Sequence, residues 1–265
     1  MILKRLLTLI FICSCFSKGN TQNTESNSKF IIDSIDSKNL KEARLFNIYL
    51  PENFDHKSIY PIVIATDGQI IEEENYKIII DSLISNKIIE PFILIGINSN
   101  ETEVAKGITY RQFEYIKGFT NNDTSINNRY ANHYEFFTKE IIDSIKVKFK
   151  IIVDPLNLTF YGCSNGGGYG ITLFLEDKNI FKNFICFSPL GNIQVKKRNK
   201  ANDKKLSIKY GDKELFILVD EYEKLKNDLN KKNYTFEFDT FNGGHDRTCW
   251  KYEFQKKIIE LYKLK

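Results

Sequence analysis

Short apolar, β-branched runs alternate along this chain with longer amphipathic segments. The runs near 29–35, 43–50, 60–66, 91–97, 156–162, 183–188, 205–210 and 234–240 are too short for helices and read as strands. Between them, stretches near 73–88, 131–149, 166–177, 215–231 and 248–263 repeat apolar residues at helical spacing. Strands that are apolar on both faces and alternate with helices specify a mostly parallel sheet covered on both sides. The pattern therefore predicts an α/β fold with a central sheet of about eight strands. The first strands have no helix between them and are expected to pair antiparallel at one edge. Sites in such sheets form at the carboxyl ends of the strands.

The first residues follow a different pattern. Met1-Ile2-Leu3-Lys4-Arg5, the apolar Leu6 to Ile12, then Cys13-Ser14-Cys15 fit a secretory signal over residues 1–15, since a membrane-spanning helix needs about 20 apolar residues. Ile12-Cys13-Ser14-Cys15 resembles a bacterial lipobox. Cys15 is the expected lipidated residue, because Cys13 would place Ile12 where the signal peptidase needs a small side chain. This predicts a cell-envelope protein that meets the membrane only through an N-terminal lipid anchor. Residues 16–28 are polar and rich in Ser, Thr and Asn, and read as a tether. Residues 29–265 remain as one domain of a size routine for α/β folds.

Composition narrows the functions. There are 38 Lys and Arg against 34 Asp and Glu, a formal net charge of +4, and the lysines are scattered among acids. No basic stripe is present, which argues against nucleic acid as a partner. The cysteines beyond the leader, Cys163, Cys186 and Cys249, are too few for a disulfide framework, and Cys163 and Cys186 read as buried free thiols. No CxxC or HxxxH pair points to a metal. His56 and His133 stand alone in polar surroundings and are expected at the surface.

The strongest chemical signal is Gly162-Cys163-Ser164-Asn165-Gly166, at the end of one apolar run and the start of the next helix. In a GxSxG elbow the strand turns so sharply that side chains two positions either side of the serine would collide, so glycine occupies both. Downstream, Gly243-Gly244-His245-Asp246 follows the last strand, where a base is needed. The order serine, acid, histidine is that of α/β-hydrolases. Two carboxylates, Asp212 and Glu214, lie just beyond the strand at 205–210.

Together these pieces resemble the putative-esterase family of α/β-hydrolases, which includes S-formylglutathione hydrolase, enterochelin-type siderophore esterases and feruloyl or acetylxylan esterases. The matching pieces are Ile48-Tyr49-Leu50-Pro51, Tyr60 to Gly68, Gly162 to Gly167, and Gly243-Gly244-His245-Asp246 with Trp250, spanning roughly residues 40–255. The resemblance implies an α/β-hydrolase fold, a small-molecule ester substrate and no cofactor. It places the acid two residues after a Gly-x pair closing the seventh strand, a register that lands on Glu214. Relatives also often carry RxxE, an aromatic residue and then proline after the fourth strand. Arg111-Gln112-Phe113-Glu114-Tyr115 matches, but Lys117 stands in place of the proline, and Cys163 stands where histidine is common.

The expected chemistry is that of a serine esterase: Ser164 as nucleophile, His245 as base and Glu214 orienting the imidazole through an acyl-enzyme. Oxyanion donors would be the backbone N–H of Asn165 and, by resemblance, that of Gly68 or Gln69. An acyltransferase would use the same acyl-enzyme, and a silent binding protein would keep only the fold. Trp250 fits equally a pocket wall or a core anchor. The insertion from Asn98 to Arg129 carries Tyr110, Phe113, Tyr115 and Phe119 with Lys106, Arg111, Lys117 and Arg129, which would suit catecholate siderophore esters or feruloyl sugar esters. The competing expectation is that these rings pack the loop down and Arg111 pairs with Glu114.

Overall fold

The apolar runs become strands β1 (Lys29–Ser37), β2 (Glu42–Leu50), β3 (Ile62–Thr66), β4 (Ile93–Ile97), β5 (Glu103–Ala105), β6 (Ile108–Thr109), β7 (Leu158–Cys163), β8 (Asn183–Phe187), β9 (Lys205–Gly211) and β10 (Glu237–Phe241). The amphipathic segments become α1 (Gly68–Glu73), α2 (Tyr76–Ser85), α3 (Tyr110–Tyr115), α4 (Arg129–Glu135), α5 (Ile141–Phe149), α6 (Asn165–Leu175), α7 (Phe216–Lys231) and α8 (Arg247–Tyr262). The structure is a computed structural model and describes residues 27–176, 179–196 and 203–264. The expected signal at residues 1–15, with Cys15, and residues 16–26 of the tether lie outside the described residues.

Eight strands form one sheet in the order β1-β2-β4-β3-β7-β8-β9-β10. β1 pairs antiparallel with β2, and β2 antiparallel with β4. From β4 to β10 every pairing is parallel. Because successive strand residues face opposite sides, the sheet divides its apolar residues between two cores. Ile62, Ile64, Ile95, Phe160 and Phe184 pack with side chains of α5, α6 and α7. Val63, Ala65, Leu94, Tyr161 and Ile185 pack with those of α1, α2 and α8. Both faces are therefore covered, as the alternation of strand and helix requires.

Three local features depart from the sequence reading. The single helix expected at 73–88 is two, α1 and α2, separated at Asn75, whose φ of 52° is left-handed; Asn tolerates that conformation better than most residues. The insertion after β4 holds a short β5–β6 hairpin and α3, elements too short and polar to leave a periodic trace. His133, expected at the surface, is fully buried. It packs among Tyr115, Tyr169, Phe136 and Phe137, the last two lying three and four residues further on and so on its own helical face. Burial away from hydrogen-bonding partners, with Arg44 and Arg129 nearby, holds its pKa well below the ordinary histidine value. His56 is exposed as expected.

The insertion is tied to the sheet by buried charge. Glu114 on α3 is 0% exposed and accepts hydrogen bonds from Arg44 Nη1 (2.9 Å) and Nη2 (2.6 Å) of β2 and from Arg129 Nε (2.9 Å) at the start of α4. Glu42 accepts from both arginines in turn. Removing one partner of such a cluster leaves uncompensated charge in the interior. Glu114→Ala should therefore cost on the order of 3–5 kcal/mol, visible as a lowered urea midpoint; a loss of under about 1 kcal/mol, the range of an exposed pair, would show that the cluster does not hold the insertion.

Candidate active site

Ser164 stands between β7 and α6, at the carboxyl end of a central strand. Its backbone is at φ 55°, ψ −127°, a region that costs a non-glycine residue about 1–3 kcal/mol and persists only where surroundings enforce it. Here its N–H donates to the Phe187 carbonyl (2.9 Å), and its carbonyl accepts from the N–H groups of Leu190 (2.9 Å) and Gly168 (3.0 Å). The flanking glycines are required by contact: a Cβ on Gly162 would lie 2.5 Å from the Gly166 carbonyl oxygen, and one on Gly166 would lie 2.2 Å from Thr66 Oγ1.

The loop after β10 brings His245 to this serine. Nε2 lies 3.0 Å from Ser164 Oγ, and Nδ1 lies 2.9 Å from Glu214 Oε2. The ring of Trp250 meets the imidazole edge-on, with centroids 4.8 Å apart. Glu214 follows β9, and its carboxylate is enclosed by donors: Ser188 Oγ at 2.5 Å, the Gly211 N–H at 2.9 Å and the Tyr222 hydroxyl at 2.7 Å. Burial on its own would raise the carboxyl pKa, but the hydrogen bonds from His245, Ser188, Tyr222 and Gly211 outweigh it and hold the group at about 2. Of the two candidate acids, Glu214 is the one placed on His245. Asp212 is exposed and accepts from the Gly243 N–H (3.0 Å), pinning the loop that carries the histidine.

The segments expected to stabilise negative charge lie beside the serine. Asp67, in the left-handed conformation at φ 56°, turns the chain from β3 into α1. Gly68 sits so close to β4 that a Cβ would lie 2.3 Å from the Gly96 carbonyl oxygen, and its own carbonyl accepts from Asn47 Nδ2 (2.6 Å). The Gln69 side chain is held by Ser99. Asn165 opens α6, so its N–H is at the positive end of an 11-residue helix.

Two contributors carried no sequence signal. Ser188, just after β8, and Tyr222, within α7, hold Glu214 from other elements. Trp250 is both core anchor and pocket wall: it is buried, donates from Nε1 to Ser188 Oγ (2.9 Å) and lines a cavity of about 30 Å³ beside Ser164, with Ile70, Ile71, Tyr76 and Tyr161. Cys163 also lines it and is a free thiol of intermediate exposure, whereas the free thiol Cys186 is buried. Among the described residues no three His, Cys, Asp or Glu side chains gather where they could hold a metal.

The insertion does not present its aromatic and cationic residues as one surface. Phe113 and Tyr115 are buried, Phe119 packs edge-on against Phe113, and Tyr110 lies under the Arg129 guanidinium. Lys117 pairs with Glu176, and Arg129 with Glu114 and Glu42. Arg111 pairs with Asp67 instead of the expected Glu114.

A family model described as Putative esterase matches residues 37–261. The uncharacterized protein YjcH of Bacillus subtilis is 24% identical over 232 residues, covering 81% of this chain and 89% of that protein. Among solved structures, a ferulic acid esterase matches with a TM-score of 0.70 at 16% identity, over 89% of this chain and 98% of its own. The enterobactin esterase FES from Shigella flexneri matches with a TM-score of 0.67 at 18% identity, over 89% of this chain and 59% of its own. At these identities the structural likeness is one of fold, the mostly parallel α/β-hydrolase sheet.

The two carboxylates near His245 make opposite predictions. Glu214→Gln should lower kcat by on the order of 10²–10⁴ by losing the imidazole's orienting partner, while Asp212→Asn changes it little. Because the folded pKa of Glu214 lies below the ordinary 4.5, its ionised form contributes stability that is present above pH 4.5 and is lost as pH falls toward about 2. Urea midpoints of wild type and Glu214→Gln should accordingly differ at pH 6 and draw together progressively as pH falls from 4.5 toward 2; a constant difference would contradict the assignment.

Proposed function

The chain belongs to the putative-esterase family and is a carboxylic ester hydrolase, and from that premise we propose that it cleaves its ester through Ser164, His245 and Glu214. The observation that carries this reading is the unbroken line from Glu214 Oε2 to His245 Nδ1 (2.9 Å) and from His245 Nε2 to Ser164 Oγ (3.0 Å), ending on a strained serine at the strand tip.

The roles follow from these positions. As Ser164 Oγ forms its bond to the ester carbonyl carbon, His245 Nε2 takes the hydroxyl proton, and the ionised Glu214 stabilises the resulting imidazolium. The carbonyl oxygen becomes an anion, and the N–H groups of Asn165 and of Gly68 or Gln69 receive it. Collapse breaks the carbon–oxygen bond to the alcohol, which leaves with the proton from His245. A water molecule, deprotonated by the same imidazole, then releases the acid and restores Ser164.

The cavity beside Ser164 supports a small acyl group. Lined by Ile70, Ile71, Tyr76 and Trp250, it is a narrow, mostly apolar cleft that suits a short acyl chain. The Tyr76 and Tyr161 hydroxyls are bonded to each other at 2.8 Å and both rings pack on Phe254, so this floor is stiff. Acetyl and other short-chain esters fit this better than the bulkier feruloyl or catecholate esters expected from the insertion. We further infer attachment to the cell envelope through lipidated Cys15, on the strength of the Ile12 to Cys15 motif.

Ser164→Ala and His245→Ala should each abolish hydrolysis of a p-nitrophenyl acetate, with a loss on the order of 10⁴-fold or more and the double variant scarcely worse, because the residues act as a unit. A fluorophosphonate should label the wild type and not Ser164→Ala. In kcat/KM, acetyl esters should exceed octanoyl and feruloyl esters; the reverse order would remove the small-acyl assignment while leaving the nucleophile intact. Cys15→Ser should shift the protein out of the membrane fraction or block its processing, and unchanged membrane retention would rule out lipid at that residue.

A further inference from the structure

Arg111 is held in place before it meets anything in the site. Thr109 and Gln112 form a reciprocal cap that starts α3, with the Thr109 N–H donating to Gln112 Oε1 at 2.8 Å. Arg111 then lies over the ring of Tyr115, one turn on, with its guanidinium carbon 5.0 Å from the centroid. Tyr115 is itself buried and stacked on Tyr169 of α6, with centroids 5.6 Å apart.

From that seat the guanidinium makes three aimed hydrogen bonds. Nε donates to Asp67 Oδ1 (2.7 Å), Nη2 donates to Asp67 Oδ2 (2.9 Å), and Nη1 donates to Asn165 Oδ1 (3.0 Å). Its side chain is only 15% exposed and that of Asp67 only 6%. The bidentate pairing with Asp67 leaves this cation committed, so it is a poor receptor for an anionic substrate. What it does is join two stretches distant in sequence: the left-handed turn at Asp67-Gly68-Gln69 and the start of α6 at Asn165.

We propose that Arg111 is a positioning residue that holds the two oxyanion-donor segments at a fixed separation beside Ser164. The inference rests on the reading of Ser164 as nucleophile. Two physical reasons support it. Donors that stabilise a developing anion must be fixed to within about 0.5 Å before reaction, and the Asp67 turn, which is left-handed and non-glycine, needs an outside restraint to stay put. In addition, Oδ2 of Asp67 approaches to 3.1 Å from where a Cβ on Gly166 would lie, so its charge sits against the start of α6. Unpaired, that carboxylate would repel the oxyanion; paired to Arg111, it presents no net charge there.

The test compares Arg111→Gln, Arg111→Lys and Asn165→Ala with wild type on p-nitrophenyl acetate. The loss of one aligned oxyanion donor costs about 10²–10³ in kcat, so Arg111→Gln should lower kcat by about that factor with KM within threefold. Arg111→Lys should fall between, because an ammonium can pair with Asp67 but cannot also span to Asn165. Asn165→Ala keeps the backbone N–H and breaks the third bond together with the longer one from Asn165 Nδ2 to the Leu190 carbonyl (3.4 Å), so its kcat should fall by less, with a melting temperature close to that of wild type. Affinity for a trifluoromethyl ketone, whose adduct carries the oxyanion, should fall in step with kcat/KM across the series, while affinity for the product alcohol should not. A variant with wild-type kcat, or a loss confined to KM for anionic esters, would overturn the brace. Ser164→Ala measured alongside separates the two readings: its inactivity beside a fully active Arg111→Gln removes the brace alone, whereas its activity removes the nucleophile. If Arg111→Gln does not fold, the neutral pair Asp67→Asn with Arg111→Gln and the Asn165→Ala variant carry the same comparison.

Discussion

The backbone of Ser164 can be where it is only because its neighbours leave it nowhere else to go. A serine at φ 55° is unfavourable by itself, and it is kept there by two hydrogen bonds to the segment that ends β8 and by the contact of Gly162 with Gly166. The parallel pairing of β7 between β3 and β8 therefore does more than fill a sheet. It brings the Phe187 carbonyl and the Thr66 side chain to opposite flanks of one residue. Every other group in the site is placed relative to that turn, by loops leaving the same end of the sheet.

Two buried carboxylates near the serine are treated in different ways. Glu214 is surrounded by neutral donors from Ser188, Tyr222, Gly211 and His245, which keep it ionised without giving it a permanent counter-ion. Its negative charge stays available to an imidazolium. Asp67 is matched by a full guanidinium, and its charge is cancelled where an anion would form. The same residue chemistry thus serves attraction on one side of Ser164 and silence on the other. Trp250 couples the first arrangement to the cavity, since one indole both bonds Ser188 and forms a wall.

What could be read from the chain followed what the backbone forces. The elbow glycines left a direct trace because a Cβ at Gly162 or Gly166 would collide with its surroundings; in the Gly-Gly-His loop the same holds at Gly243, where a Cβ would lie 2.5 Å from Cys249 Sγ, whereas Gly244 has room. Strand and helix order followed from period-2 and period-3.6 patterning, and the sheet formed as that pattern required. The acid was narrowed to two residues by position and to Glu214 only by family register, because nothing in Gly211-Asp212-Lys213-Glu214 tells which side chain will face inward. Ser188, Tyr222 and the role of Arg111 were out of reach, since each acts through a partner on another element. His133 is buried although its residue type favours the surface, and its spacing to Phe136 and Phe137 is what marks that buried helical face.

The edge strand adds a constraint of orientation. β1 is antiparallel to β2, and β2 antiparallel to β4, so β1 runs in the same direction as the parallel strands and begins, at Lys29 beside Leu50, at their amino ends. Ser164, Glu214 and His245 are all at the carboxyl ends. Whatever precedes β1 therefore joins the sheet at the end away from the site, so neither that junction nor the β1–β2 edge crowds the approach of a substrate to Ser164.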